Sequence, residues 1–323
     1  MRLIRLPTIP HKYLDTIVHT FVSTLHLLFH PAEVALYCNG ANTVFTILPR
    51  LAGIPTVINV DGLERRRKKW NALARAWYLF SERLTTLLPT AVVSDAQAIA
   101  DYYYGRYLQP THFIPYGAPT GPVATREALD RLGLEPDAYW LYVSRMEPEN
   151  NALLVVRAFE RTASARQLVM VGDAPYAHDY IRRVRETPDL RILFPGAIYG
   201  PGYHELQAHS FAYLHATEVG GTHPALIEAM GRGRPVLYLD TPENAEVAGG
   251  AGHSFENNEA SLASAIERIE ARSTAERQEL GDRGLARVRE RYDWDAVTTR
   301  YEELLRSCVA AAHPRGGALS HQE

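Results

Sequence analysis

The segment EVGGTHPALIEAMGRGRPV, Glu218 to Val236, sets two adjacent glycines, a histidine and a proline ahead of a short helical run carrying one acid, Glu228. Pro224 suits the first turn of a helix, where its missing N–H would have had no partner anyway. Gly220 and Gly221 then leave bare backbone at the helix mouth, with no side chain in the way of a ligand. Free N–H groups and the helix dipole together attract an anion, most naturally a phosphate. Glu228 follows Pro224 on the same helical face, about 6 Å further along. There it would repel a phosphate placed beside it, but it can accept hydrogen bonds from a pair of hydroxyls. Phosphate at the helix mouth and ribose at the acid is the order of parts in a nucleotide. A glycine-rich loop followed by a helix with one exposed Glu fits these residues equally well.

Other loops carry compatible chemistry. In WLYVSRMEPENN a strand ends at Val143 and is followed by Ser144 and by Arg145, whose guanidinium can fork onto phosphate oxygens or simply be solvated. In QLVMVGDAP, Gly172 and Asp173 follow a strand, and RILFPGAIYGPG turns at Pro195 and Gly196, where backbone can contact a base. The run Arg65, Arg66, Arg67, Lys68, Lys69 before Trp70 reads first as a solvated helical face. Its functional reading is contact with a lipid-diphosphate acceptor or an anionic membrane surface. Asp293-Trp294-Asp295 precedes a helix, where Asp is a favoured cap, so metal binding is not expected there. His204 and His209 lack the spacing of a zinc-protease helix and read as scattered polar residues.

These loops need a scaffold, and the chain supplies one by alternating short β-rich apolar runs with helical patterns, the mark of parallel sheets covered on both faces. Strands are expected at Arg2–Pro7, Val34–Cys38, Thr56–Val60, Ala91–Ser94 and His112–Pro115, with helical patterns at about 11–30, 41–52, 70–88 and 94–106. The Gly- and Pro-rich GAPTGPV, Gly117 to Val123, breaks this first series and marks a domain boundary. A second series has strands at Trp140–Val143, Gln167–Val171, Arg191–Phe194, Ala212–His215 and Pro235–Leu239, then helices alone from Leu262 to Ala311, interrupted near Tyr292. The organisation read from this is a domain at 1–120, a second at 121–311 and a disordered tail at 312–323. Ligands of such sheets sit at the carboxyl ends of strands, which is where Val143, Val171, Phe194 and His215 fall.

Composition narrows the class. The net charge of -3 and pI near 6.5 give no field that would gather nucleic acid. Two cysteines, Cys38 and Cys308, lie far apart without metal-ligand spacing, which fits a reducing cytoplasm. The apolar segment Leu14–His30 is interrupted by polar residues too often for a bilayer span and reads as a well-buried helix.

With these residues in view, the second domain resembles the nucleotide-binding half of a GT-B glycosyltransferase of family 4, in the branch that includes rhamnosyltransferases of bacterial polysaccharide synthesis. The segments that carry it are YVSRMEPENN, MVGDAPYAHDYI, LFPGAIYGPGYHEL, HATEVGGTHPALIEAM, ENAEVAGGAGHSF and YDWDAVTTRYEELL, spanning most of residues 139–305. VDGLERRRKKW and IPYGAP resemble parts of the branch's first domain. The resemblance implies two Rossmann-like doubly wound domains and transfer of a hexose from a dTDP- or UDP-sugar, with retention, to a glycan or lipid-linked acceptor. It implies no obligatory metal or other cofactor. It places the donor at Ser144, Arg145, Asn150, Gly172, Ile198, Gly220, Gly221, Thr222 and Glu228, and the reacting centre at Asp61, Arg145 and His223.

The chain departs from the family's pattern in places. It keeps the ribose-binding acid, Glu228, but has Gly220 where a first glutamate is usual, and Asn150 where a lysine often stands. Branch members begin with a hydrophobic strand and a Gly-rich loop, whereas this chain opens at what resembles the third strand. The expectation is an incomplete first domain, from a short gene product or a late start, or else a domain rearranged around a smaller sheet. A sugar-nucleotide epimerase or hydrolase of the same fold, and a nucleotide-sugar-binding protein without activity, stand beside the transferase reading. Location is expected in the cytoplasm, with peripheral contact at the inner membrane face.

Overall fold

The structure, a computed structural model, describes residues 3–9, 14–68, 70–175 and 177–312. The first series of elements is α1 (Asp15–Phe29), β1 (Ala35–Cys38), α2 (Ile47–Leu51), β2 (Thr56–Asn59), α3 (Ala72–Leu84), β3 (Ala91–Ser94), α4 (Gln97–Tyr107) and β4 (His112–Phe113). The second is α5 (Glu127–Leu132), β5 (Tyr139–Val143), α6 (Ala152–Glu160), β6 (Gln167–Val171), α7 (His178–Arg185), β7 (Ile192–Gly196), α8 (Pro201–His209), β8 (Ala212–His215), α9 (Pro224–Gly231), β9 (Val236–Leu239), α10 (Pro242–Ala248), β10 (His253–Phe255), α11 (Glu259–Glu270), α12 (Thr274–Arg291) and α13 (Trp294–Ala312).

Both sheets are parallel throughout. The second runs β10-β9-β8-β5-β6-β7, so its order reverses between β5 and β8, and the loops after those two strands flank the crevice where such sheets bind ligands. Its strands are apolar at successive positions because both faces are covered. Trp140, Tyr142, Leu168, Met170 and Leu214 pack into one cluster, while Tyr139, Leu141, Val169, Val171 and Tyr213 pack into the other. The first sheet has four strands in sequence order, β1-β2-β3-β4, and no reversal among the described residues. The expected class, two parallel α/β domains, is what the chain forms.

The last helix ties the halves together. α13 leaves the second domain and lays Val297, Leu304 and Cys308 on Val57 and Val93 of the first sheet. Asn59 Nδ2 donates to Tyr301 Oη at 2.9 Å, and the linker amide of Ala118 donates to the Tyr292 carbonyl at 2.9 Å. Gly117 has no room for a side chain, because a Cβ there would run into the Trp294 ring.

Three expectations need correction. The run Arg2–Pro7 forms no strand over the described residues 3–7, whose Leu3 and Ile4 are exposed. Helix α1 is not well buried: Thr24 alone is fully covered, and Phe21 and Phe29 face outward, because its apolar residues spread around the helix. Strand β10 was not foreseen, being three residues inside a Gly-rich stretch. Of the expected disordered tail at 312–323, Ala312 is the last residue of α13, and the residues from 313 on lie outside the described residues. Among the described residues no helix is long and apolar enough to cross a membrane.

Candidate functional site

A cavity of about 600 Å³ opens between the two domains at the switch point of the second sheet. Helix α9 begins at Pro224, with His223 in extended backbone as its cap residue and no side-chain cap. The loop ahead of it brings Gly220, Gly221, Thr222 and His223 to the cavity wall, and Glu228 lines the same wall one turn into the helix. From the end of β5 come Ser144, Arg145 and Asn150, and from the first domain Asp61, Arg67 and Tyr116. Every expected site residue except Gly172 and Ile198 thus meets in one cavity.

Glu228 is held from the side. Tyr203 Oη donates to its Oε2, and Gln207 Nε2 donates to Tyr203 Oη at 2.7 Å, which fixes the phenol. Burial, then the neighbouring Tyr213 and Glu228, keep the Tyr203 phenol far above its ordinary range, so it stays a neutral donor. Arg145 is more than half exposed and reaches Glu147 at 3.8 Å, which leaves its guanidinium largely open to the cavity. The buried Asn150 donates from Nδ2 to the Arg145 carbonyl at 2.7 Å, so its amide shapes the arginine's loop instead of reaching a ligand as a lysine would.

The glycine loop differs from the sequence expectation at Thr222. Its amide donates to Asp95 Oδ2 at 2.9 Å and its hydroxyl donates to the Asp95 carbonyl, so both groups are engaged by the first domain. Among the described residues the amides of Gly220 and Gly221 donate to nothing. The two domains touch through glycine here, since a Cβ on Gly62 would overlap the backbone of Gly220. His223 packs its ring against Gly220 and lies 4.7 Å from the His215 ring. Burial and then the Arg67 guanidinium push the His223 imidazole down to about 4, so it is neutral near pH 7. His215 is lowered as well, by burial and by His223.

Gly172 and Ile198 fall outside the cavity for structural reasons. Gly172 has φ +144° and a Cβ there would collide with the Ser144 carbonyl, so this glycine lets two strand-end loops pack closely. Ile198 packs against the core cluster that holds Leu206 and Leu226, and Tyr199 lines the cavity instead.

The basic run is a solvated face only in part, for Arg66 and Lys68 are exposed while Arg65 and Arg67 turn into the protein. Arg65 Nε donates to Glu82 at 2.8 Å and also bonds Tyr102. Arg67, only one-tenth exposed, pairs with Glu64 at 2.6 Å and across the cleft with Glu147 at 3.5 Å and Glu149 at 3.8 Å. Lys68 reaches Glu218 at 3.0 Å, and Lys69 lies outside the described residues. Asp61, with a positive φ of 56°, has its amide held by Asn59 Oδ1 and its side chain in the cavity. Asp61, Arg67 and Arg145 also line an adjoining cavity of about 530 Å³, whose wall includes Trp70 and Tyr78 with rings 5.5 Å apart.

Sequence reasoning missed Asp95 and Tyr203, and noted Arg67 only as part of a basic run and not as a cavity residue. Asp95 stands directly after β3, where the rule that ligands sit at strand ends points to it. The cavity roles of Arg67 and Tyr203 give no local signal, since Glu228, which Tyr203 holds, and Glu147 and Glu149, which Arg67 meets across the cleft, are distant in sequence. Asp293 caps α13 as expected, accepting from the amides of Asp295 and Ala296 at 3.0 Å. His209 bonds the Thr125 carbonyl, and no group of side chains fit to hold a metal ion occurs among the described residues.

Two parallel α/β domains with a nucleotide-sized cavity at the switch point define the GT-B glycosyltransferase architecture. Residues 137–271 match the family described as glycosyl transferases group 1, and residues 46–119 match a domain of unknown function (DUF1972). The first of these matches lies within the second domain. Among curated proteins no relative matches the sequence.

Solved structures similar in fold include sucrose-phosphate synthase from Thermosynechococcus elongatus, at 20% identity over 91% of this chain and 78% of that one, with a TM-score of 0.73. Anabaena HepE in complex with UDP and glucose aligns at 17% identity over 88% of this chain and 81% of that one, with a TM-score of 0.77. A glycosyltransferase from Rickettsia africae aligns at 12% identity over 95% of this chain and 84% of that one, with a TM-score of 0.72. At these identities the likeness establishes the fold.

Proposed function

We propose that this protein transfers a hexosyl group from a dTDP- or UDP-sugar to a glycan or lipid-linked acceptor, with retention of configuration. The observation that carries the reading is the convergence of Arg145, the Gly220–Gly221 backbone and Glu228 on one cavity, in the order that fits a diphosphate followed by a ribose. The family match within the second domain and the UDP found in the Anabaena HepE complex support it.

In this reading the protein acts mainly on the leaving group. As the glycosidic bond breaks, negative charge grows on the diphosphate, where Arg145 and the amides of Gly220 and Gly221 stabilise it. Asn150 keeps the Arg145 loop in place, and neutral His223 offers one further N–H. Glu228, with one oxygen held by Tyr203, receives the ribose hydroxyls through the other. Asp61 accepts a hydrogen bond from the reacting sugar or the incoming hydroxyl. The adjoining cavity with Trp70 and Tyr78 gives the acceptor room beside Asp61, since aromatic faces suit the C–H side of a sugar ring. The branch resemblance makes rhamnose the first sugar to try.

The test is turnover of UDP- and dTDP-hexoses with and without glycan and lipid-linked acceptors. Glycosylated acceptor together with free nucleoside diphosphate supports the transferase. Donor consumed equally without acceptor points instead to a hydrolase or epimerase of this fold.

A further inference from the structure

Asp95 is a fully buried carboxylate at the carboxyl end of β3. It follows β3 in the first domain, yet its contacts are with the glycine loop of the second. One oxygen accepts the Thr222 amide at 2.9 Å, its carbonyl accepts the Thr222 hydroxyl, and a Cβ on Gly221 would overlap the carboxylate. The other oxygen, Oδ1, finds no hydrogen-bond partner among the described residues. An acid placed this way holds the loop at Thr222, while the amides of Gly220 and Gly221 make no hydrogen bond among the described residues.

We propose that Asp95 is the positioning residue of the donor-binding loop, acting across the cleft, and that its charge state sets how tightly the loop takes a diphosphate. The inference rests on the nucleotide reading above. Neutral, the acid still accepts the Thr222 amide and costs an anionic ligand nothing. Ionised, it puts a negative charge at the loop that must hold the diphosphate.

Its surroundings favour the neutral form. Burial, then Asp61 from the loop after β2, push the carboxyl up to about 8, and Glu246 on α10 adds to this, while the Thr222 amide pulls the other way. Tyr116 and Tyr301 face it as neutral phenols, both raised by burial, and His223 next to Thr222 is neutral near pH 7. No glutamate stands at position 220 to organise the loop from within, so the anchor comes from the opposite domain.

The experiment is calorimetric titration of the full chain with UDP and with dTDP at pH 7 and pH 9, for the wild type, Asp95→Asn and Asp95→Ala. The wild type is expected to lose affinity by roughly tenfold between the two pH values, about one pKa unit of coupling. Asp95→Asn keeps an acceptor for the Thr222 amide and carries no charge, so it should match the wild type at pH 7 and stay flat to pH 9. Asp95→Ala releases the loop and should bind about tenfold more weakly at both pH values, the worth of one good hydrogen bond. An Asp95→Asn protein that retains the wild-type pH dependence, or an Asp95→Ala protein that binds as the wild type does at pH 7, overturns the proposal alone. A wild type that binds neither nucleotide at either pH overturns the functional reading and this proposal with it.

Discussion

The two walls of the cleft are built differently. The second-domain wall is made of strand ends, a glycine loop and a helix mouth, and its chemistry resides in residues adjacent in sequence, Gly220 to Glu228. The first-domain wall is a charge network that joins distant segments: Arg65 with Glu82, Arg67 with Glu147 and Glu149 beside its near neighbour Glu64, and Lys68 with Glu218. Loop backbone can present a binding surface with little commitment from the rest of the fold. Paired charges at low exposure depend on both domains holding their place, so the first wall is where stability and function are coupled.

That contrast can be broken, the largest effect coming first. Arg67→Ala leaves Glu149 buried beside no cation, and breaking a buried pair in this way costs about 3–5 kcal/mol. Urea unfolding should show a midpoint lowered accordingly, with a large part recovered when Glu149→Gln is added. If the single variant unfolds as the wild type does, the network carries no such weight.

The second wall has its own pH limit. The His223 imidazole is held near 4 in the folded chain, below its ordinary value of 6.5, so between those values the unfolded chain binds a proton that the folded chain refuses. Stability present above pH 6.5 should therefore fall as the pH drops towards 4, by about 3 kcal/mol for this residue alone. Denaturation across that window, repeated with His223→Gln, should show a shallower slope in the variant.

Arg145→Ala separates binding from stability. Its exposed guanidinium supports little of the fold, so the unfolding midpoint should hold while nucleoside diphosphate affinity falls by about 2 kcal/mol, the worth of charge-assisted bonds to phosphate. Glu246→Ala should give the smallest effect. Glu246 accepts from the amides of Gln97 and Ala98 at 2.8 and 3.2 Å, capping α4 from the other domain where Ala96 cannot. Its loss should cost about 1 kcal/mol in thermal or chemical unfolding.

Most of the scaffold was legible because parallel strands buried on both faces announce themselves as apolar runs, and β1 to β9 all overlap segments read that way, β5 starting one residue earlier and β7 ending two residues later. Pro224 fixed the start of α9, and the break at Tyr292 fixed the boundary between α12 and α13. The segment Arg2–Pro7 has the composition of a strand, but strand formation depends on a neighbour to pair with, which composition does not report. For α1, counting apolar residues overstated burial, since only a continuous stripe can be covered. In the site, glycines and prolines betray loop geometry locally, which is why the α9 mouth could be found. The engagement of Thr222 by Asp95, and of Arg67 by Glu147 and Glu149, joins residues from opposite domains, and no spacing rule reaches that far.

The most direct test of the nucleotide site is titration of UDP and dTDP into the wild type and Glu228→Ala. Saturable binding by the wild type and a loss of at least about 2 kcal/mol in the variant, the worth of hydrogen bonds to a charged acceptor, is the predicted result. Equal affinity in the two proteins would contradict the ribose-holding role of Glu228, and with it the orientation of the donor in the cleft.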